Sequence, residues 1–125
     1  MVHQIRNATN FIYLEMQYFW GSAYSWKEDT DTLAHHPVPM EITQRIVEKI
    51  SAGESFKAYI LVPMFPEGDP ASRAVQSMLF WQFRTMESMY LMIASAIKAN
   101  NAGTVPTDYV MVFCLGKRTS RNRWG

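Results

Sequence analysis

Three short apolar runs divide the chain, and each is predicted to be a β-strand. The runs cover residues 11–19 (FIYLEMQYF), 56–62 (FKAYILV) and 109–115 (YVMVFCL). All three are rich in aromatic and β-branched residues, which favour strands, and Pro63 with the turn-rich PMFPEGDP ends the second. Strict alternation over the first run would place Phe11, Tyr13, Glu15, Gln17 and Phe19 on one face, and Ile12, Leu14, Met16 and Tyr18 on the other.

Two segments with helical periodicity separate the strands. The first is predicted to begin at Pro39, since a proline is tolerated in the first turn, and Gly53 fits the position just past its end. The second runs from about Ala71 to Ala99. Its apolar stripe repeats every three or four residues, as in an amphipathic helix. The stripe comprises Val75, Met78, Leu79, Gln82, Met86, Met89, Tyr90, Ile93 and Ile97.

The order of these elements predicts an α/β fold. A β-α-β-α-β chain with nearly continuous apolar strands implies a mainly parallel sheet with helices on both faces. Three strands are few for such a sheet, so we expect it to be incomplete as it stands and the chain to be a piece of something larger. An incomplete sheet also predicts marginal stability for the isolated chain.

Composition and charge narrow the class of protein. The 125 residues suit one domain, and 48% hydrophobic content is enough for a core. A net charge of +1 gives no reason to expect nucleic acid as a partner. A single cysteine excludes an internal disulfide and fits a reducing compartment. The apolar runs are too short to span a membrane and no signal-peptide core follows the N-terminus, so we expect a soluble, cytoplasmic chain.

The first strand carries an unusual polar pair, Glu15 and Gln17. A buried carboxylate is costly unless it is paired or used. One interpretation is a polar pair that reaches a site at the end of the strand, where parallel sheets bind ligands. The alternative is a glutamate that points to solvent or pairs with an arginine elsewhere.

The remaining candidates have ordinary interpretations beside the functional ones. Glu67 and Asp69 could bind a cation, although a turn followed by a helix cap is favoured. Cys114 is predicted to be a small buried apolar residue rather than a nucleophile. The methionines of the long helix suit the core better than a partner surface. The three histidines, His3, His35 and His36, lack metal-ligand spacing, and the scattered glycines form no phosphate loop.

Several longer stretches carry a resemblance to a known family. NFIYLEMQYFWGSAYSW, residues 10–26, resembles the hallmark of eukaryotic phospholipase D, usually written IYIENQYF and followed by a small-residue GS. The resemblance continues through PMEITQRIVEKISAGESFKAYILVPMFPEGDPAS, through VQSMLFWQFRTMESMY and to YVMVFCLGKR. It covers roughly residues 5–118 and is closest to the plant, calcium-dependent branch.

The resemblance implies an activity, and also that this chain lacks its central residues. Family enzymes hydrolyse the distal phosphodiester of a phospholipid to phosphatidic acid and a free head group. They use two H-x-K-x-x-x-x-D motifs, in which one histidine attacks phosphorus and the other protonates the leaving alcohol. No histidine here precedes a lysine by two positions. The segment falls between the two motifs and ends before the second, so we expect no catalytic residue in it and no activity from the isolated chain.

The hallmark nevertheless assigns supporting residues. Glu15, Gln17, Tyr18, Gly21 and Ser22 match it and are expected to support the active site, with Glu15 orienting a catalytic His or Lys. Phe19 matches as well. The departure is Met16, where the family carries Asn. Met16 is expected on the strand face opposite Glu15, so the polar pair would be preserved. The hydrogen-bond network of the family's Asn would be lost.

The resemblance also implies domains, cofactor and partners. Residues 1–118 are expected to form a partial phospholipase D-like catalytic domain and residues 119–125 a divergent basic tail. Calcium is implied for the full-length family, with its ligands outside this chain and no metal ligand within it. The implied partners are a phospholipid membrane surface and the missing remainder of the catalytic domain. The full-length protein is expected to be cytoplasmic and to associate peripherally with the membrane.

Two other hypotheses stay open. The chain could be a non-enzymatic, truncated interaction module or regulator that binds a full-length phospholipase D, for which exposed sheet edges and a methionine-rich helix are suitable. The third is a small stand-alone α/β ligand-binding domain, which the lack of a phosphate loop disfavours.

Overall fold

The computed structural model describes residues 1–21 and 36–117. The predicted tail at 119–125, together with Ser22 and His35, lies outside the described residues. The elements in chain order are α1 (Val2–Asn7), β1 (Phe11–Glu15), α2 (Val38–Ser51), β2 (Lys57–Leu61), α3 (Arg73–Ala99), a 3₁₀ turn (Pro106–Asp108) and β3 (Val110–Phe113).

The three described strands form one parallel sheet in the order β1-β2-β3. Tyr13 pairs with Tyr59, and Ile60 pairs with Val112. The α/β class and the parallel sheet predicted from the element order are therefore confirmed.

Both long helices lie on one face of this sheet, which corrects the expectation of helices on both faces. Helices α2 and α3 pack on each other, and their core continues onto Ala58 and Ile60 of β2. The reason lies in the strand order. Right-handed crossovers from β1 to β2 and onward to β3 place both connecting helices on the same side.

The opposite sheet face is not covered by any helix of the described residues. We call it the open face; by alternation from the strand register it comprises Phe11, Tyr13, Glu15, Lys57, Tyr59, Leu61, Met111 and Phe113. Phe11 and Tyr13 are 62% and 57% exposed. The sheet thus buries one face and presents a largely apolar second face.

The first strand is shorter than the alternation predicted. β1 ends at Glu15, and its last bond to β2 is donated by the backbone N–H of Met16 to the carbonyl of Leu61, at 3.0 Å. The chain then changes direction, so Phe19 leaves the face of Glu15 and is completely buried in the core. The prediction of a strand to residue 19, with Phe19 beside Glu15, was wrong for this reason.

The helix ends follow the local signals in the sequence. Pro39 lies in the first turn of α2, and Gly53, just past its end, adopts a φ of 68° that suits glycine. The side chain of Ser72 accepts a hydrogen bond of 3.2 Å from the N–H of Val75 and caps α3.

Helix α3 is much longer than the strands beside it. Its 27 residues extend about 40 Å, whereas a five-residue strand extends about 17 Å. Met89, Ile93 and Ile97 in its C-terminal half pack in the core. Since α3 runs antiparallel to the strands, its N-terminal half passes beyond the carboxyl edge of the sheet, where Phe80 and Phe83 are exposed.

Helix α1 is fixed to α2 by polar contacts. Arg6 donates to both carboxylate oxygens of Glu41, at 2.7 and 2.5 Å. Arg45 donates twice to the carbonyl of Ala8, at 2.9 and 2.7 Å, while Ile5 is buried in the core.

None of the helices in the described part of the chain has the length and apolar character needed to cross a bilayer.

Candidate functional site

A cleft of about 510 Å³ opens at the carboxyl ends of the three strands. Its lining comes from the ends of β1, β2 and β3 and the residues that follow them: Glu15, Met16, Gln17, Leu61, Val62, Pro63, Met64 and Leu115. In parallel α/β sheets this is the edge at which ligands bind. The lining is apolar apart from Glu15 and Gln17, so these two side chains define its polar chemistry.

Glu15 is held at the mouth of the cleft by its own strand. The hydroxyl of Tyr13 donates to Oε1 of Glu15 at 2.5 Å. This hydrogen bond, with smaller contributions from partial burial and from the nearby negative charge, raises the pKa of Tyr13 above its ordinary value. An ionised carboxylate can accept several hydrogen bonds, so Glu15 can bind Tyr13 and a further donor in the cleft.

The hallmark residues divide into two groups in the structure. Glu15 and Gln17 line the cleft together, whereas Tyr18 and Gly21 do not. The ring of Tyr18 stacks on Trp20, with centroids 5.0 Å apart. Whether these residues support catalysis stays a prediction, and Ser22 lies outside the described residues.

Met16, the departure from the hallmark, lies between the core and the cleft. Its side chain is half-buried against the core, as its place opposite Glu15 predicts, and it also lines the cleft. Because β1 has ended at Glu15, residues 15–17 all reach the cleft despite the alternation.

Two residues of α3 hold the segment that follows β1, and the sequence did not single them out. The backbone N–H of Phe19 donates to Oε1 of Gln82 at 3.2 Å, and that of Gly21 donates to Oγ1 of Thr85 at 2.9 Å. A signal was present in the sequence. Gln82 is a polar residue within the apolar stripe of α3, which indicates a buried polar group that needs a partner.

The acidic turn after β2 is stabilised by hydrogen bonds to Asp69. Oδ1 of Asp69 accepts from the N–H of Ala71 at 3.0 Å, and the carbonyl of Asp69 accepts from the N–H of Ser72 at 2.9 Å. Across residues 1–21 and 36–117, no group of three His, Cys, Asp or Glu side chains is placed to hold a metal ion. The turn was predicted correctly, but the cap of α3 is Ser72 and no acidic residue lies in the first turn of that helix.

Cys114 is exposed, so its predicted burial was wrong. β3 ends at Phe113, one residue before Cys114, and no further strand of the described residues covers that edge.

The methionines of α3 agree better with the prediction, since Met89 is buried and Met86 packs against the core.

These observations define the class of protein: a parallel α/β unit with a polar pair in a cleft at the carboxyl ends of its strands. The comparisons identify the family. A sequence model described as phospholipase D matches residues 1–124, so the chain belongs to the phospholipase D family.

Curated plant relatives resemble the chain closely. It is 52% identical over 121 residues to phospholipase D alpha 2 of Oryza sativa subsp. japonica and 51% identical over 121 residues to phospholipase D alpha 1 of Zea mays. It is 47% identical over 117 residues to phospholipase D delta of Arabidopsis thaliana. Each alignment covers 94% of this chain and 14–15% of the relative, so the chain corresponds to part of a plant-type phospholipase D.

Proposed function

We propose that this chain forms one wall of the phosphodiester site of a phospholipase D that converts phosphatidylcholine-type lipids to phosphatidic acid and a free head group. The observation that carries the proposal is the position of Glu15 and Gln17 in the cleft at the carboxyl edge of the sheet. It is supported by about 50% identity to plant phospholipase D proteins along nearly the whole chain.

The role of Glu15 follows from its charge. The catalytic His and Lys side chains come from parts of the enzyme outside this chain. The carboxylate accepts a charge-assisted hydrogen bond from one of them, which fixes its orientation and favours its protonated form. The hydrogen bond from Tyr13 restricts the conformations of the carboxylate.

The isolated chain is expected to be inactive, since no histidine precedes a lysine by two positions. The test measures phosphatidic acid released from phosphatidylcholine vesicles by the purified chain. Turnover clearly above that of a heat-treated control would contradict this expectation.

A chimera tests the supporting role directly. The segment of rice phospholipase D alpha 2 that aligns with this chain is replaced by the aligned residues of this chain, 94% of its length, and the product is assayed on phosphatidylcholine vesicles. The chimera should hydrolyse the lipid. Glu15→Gln should reduce its kcat about ten- to a hundredfold, since hydrogen bonds to charged groups are the stronger ones. Glu67→Gln, in the exposed turn, is the matched control.

The proposal includes the partners and cofactor of the whole protein. It acts at a phospholipid membrane surface as a cytoplasmic, peripheral enzyme, because its substrate is a membrane lipid. Calcium is required by parts of the protein outside this chain. Sedimentation of the chimera with phosphatidylcholine vesicles, with calcium or with a chelator, tests both points, and equal sedimentation in the two conditions would contradict the calcium requirement.

A second candidate function is an interaction module, and the open face favours it. Parallel sheets are normally buried on both faces, yet Phe11, Tyr13 and Phe113 are exposed. The occupant we propose is the remainder of a phospholipase D chain, since about 85% of the length of the rice relative lies outside the alignment. Co-purification with a full-length phospholipase D, lost on Phe11→Ser, would favour it; a monomer that binds nothing would contradict it.

A further inference from the structure

The backbone hydrogen bonds of the hallmark segment change partner where β1 ends. Up to Met16 they run to β2, and the last of them is donated to the carbonyl of Leu61. Beyond it, the N–H groups of Phe19 and Gly21 donate to side chains of α3 instead. The segment after the strand is therefore fixed by side chains rather than by the sheet.

The two α3 side chains are Gln82, which is half-buried, and Thr85, which is buried; we call them the α3 clamp. Thr85 is 3% exposed, and its Oγ1 donates to the carbonyl of Trp81 at 2.8 Å while it accepts from Gly21. Since its single proton is committed to Trp81, a lone pair of the hydroxyl is left for the N–H of Gly21. A buried N–H without a partner is costly, so each contact restricts where the segment can lie.

The clamp acts on the polypeptide that continues directly from the cleft. Gln17 lines the cleft, and Phe19, two residues later, is completely buried and bonded to Gln82. With β1 fixed on one side and the clamp on the other, residues 16–18 are held at both ends.

We infer that Gln82 and Thr85 are positioning residues that fix the hallmark segment, and with it Gln17 and Glu15, at the rim of the cleft. The inference rests on the proposed function for its effect on turnover. Neither side chain contacts the cleft, so neither is a catalytic residue. Because the clamp affects how the cleft wall meets the reacting groups, its loss should lower kcat and leave KM within about twofold.

The first experiment tests the contacts in the full 125-residue chain by amide hydrogen exchange. Thr85→Val keeps the side-chain shape and removes the acceptor, and should accelerate exchange of the Gly21 amide about tenfold. Gln82→Met should do the same for the Phe19 amide. The amide of Ile60 in β2 is the internal reference and should not change.

Conservative variants provide the matched controls. Thr85→Ser and Gln82→Glu each retain an acceptor oxygen, so exchange at Gly21 and Phe19 should stay close to that of the unmodified chain. Uniform acceleration at all amides, or equal rates in Thr85→Val and Thr85→Ser, would overturn the inference.

The second experiment tests turnover in the chimera with the rice enzyme. Thr85→Val should lower kcat about tenfold, and Thr85→Ser should restore it. A rise in KM alone, or no change in kcat, would overturn the positioning role. An inactive unmodified chimera would contradict the proposed function instead. The exchange rates in the isolated chain would then determine by themselves whether the α3 clamp fixes the hallmark segment.

Discussion

The hydroxyl of Tyr13 donates a 2.5 Å hydrogen bond to Oε1 of Glu15, two residues further along the same strand. The contact exists because alternate residues of a strand share a face. The hydroxyl thus reaches the carboxylate at the mouth of the cleft without help from another element.

Removing the charge of Glu15 should lower the pKa of Tyr13. The hydrogen bond to the carboxylate holds that pKa above 10.0, since the bond requires the neutral phenol and the phenolate would face a negative charge. In Glu15→Gln the pKa should return toward 10.0, as followed by NMR of the Tyr13 ring during a pH titration. Glu67→Gln should leave it raised, and an unchanged pKa in Glu15→Gln would contradict the contact.

The contact between α1 and α2 should weaken in acid. The hydrogen bond from Arg6 holds the pKa of Glu41 below its ordinary value of 4.5. A lowered carboxyl pKa stabilises the fold above pH 4.5, and this contribution is lost as the pH falls through the folded-state pKa. The difference in urea midpoint between the unmodified chain and Glu41→Gln should therefore be largest near neutral pH and shrink toward pH 3. A difference that does not depend on pH would contradict this assignment.

Neighbouring positions on α3 should differ sharply in their tolerance of truncation. Ile93 is completely buried, so Ile93→Ala should cost about 2–5 kcal/mol in the free energy of unfolding. Leu91 is 65% exposed, and Leu91→Ala should change that free energy by less than about 0.5 kcal/mol. Urea denaturation measures both, and similar values for the two would be inconsistent with the orientation of the helix.

Gly68 should not tolerate a side chain. Its φ is 125°, and a Cβ there would lie 3.3 Å from Cγ2 of Val75. Gly68→Ala should destabilise the chain by about 1–3 kcal/mol. Gly116→Ala is the matched control, since a Cβ there meets only the end of Met64, at 3.7 Å. Equal urea midpoints for the two variants would contradict this.

The isolated chain should melt at a modest temperature. Only one face of its described sheet is buried, and Phe11, Tyr13 and Phe113 are exposed on the other. A thermal transition below about 60 °C, within the ordinary range for mesophile domains, is expected by circular dichroism. A cooperative transition clearly above this temperature would contradict the prediction, because one buried sheet face would then be enough for high stability.

Local signals in the sequence predicted the parts of the fold that local physics decides. Pro39 lies in the first turn of α2, and Gly53 adopts the positive φ expected just past a helix end. Glu15 and Gln17 line the cleft at the end of the first strand, as one of the two interpretations predicted, and both are exposed to solvent, as the alternative predicted for Glu15.

Tertiary contacts decided what the sequence could not predict. Phe19 continues an alternating pattern, but its N–H is bonded to Gln82, 63 residues away, and its ring enters the core. Cys114 has an apolar neighbourhood in sequence, yet it follows an edge strand and is exposed. The placement of both helices on one face required the strand order, which periodicity does not contain.

The length of α3 has a mechanical consequence for the cleft. Ile97, near one end, is packed in the core, and Gln82, about 22 Å away along the axis, holds the backbone at Phe19. Met89 and Ile93, which lie between these two residues, are also packed in the core, so the helix relates the position of the segment at the cleft to that of the core. A tilt of about 5° about Ile97 would displace Gln82 by roughly 2 Å, more than enough to break a hydrogen bond.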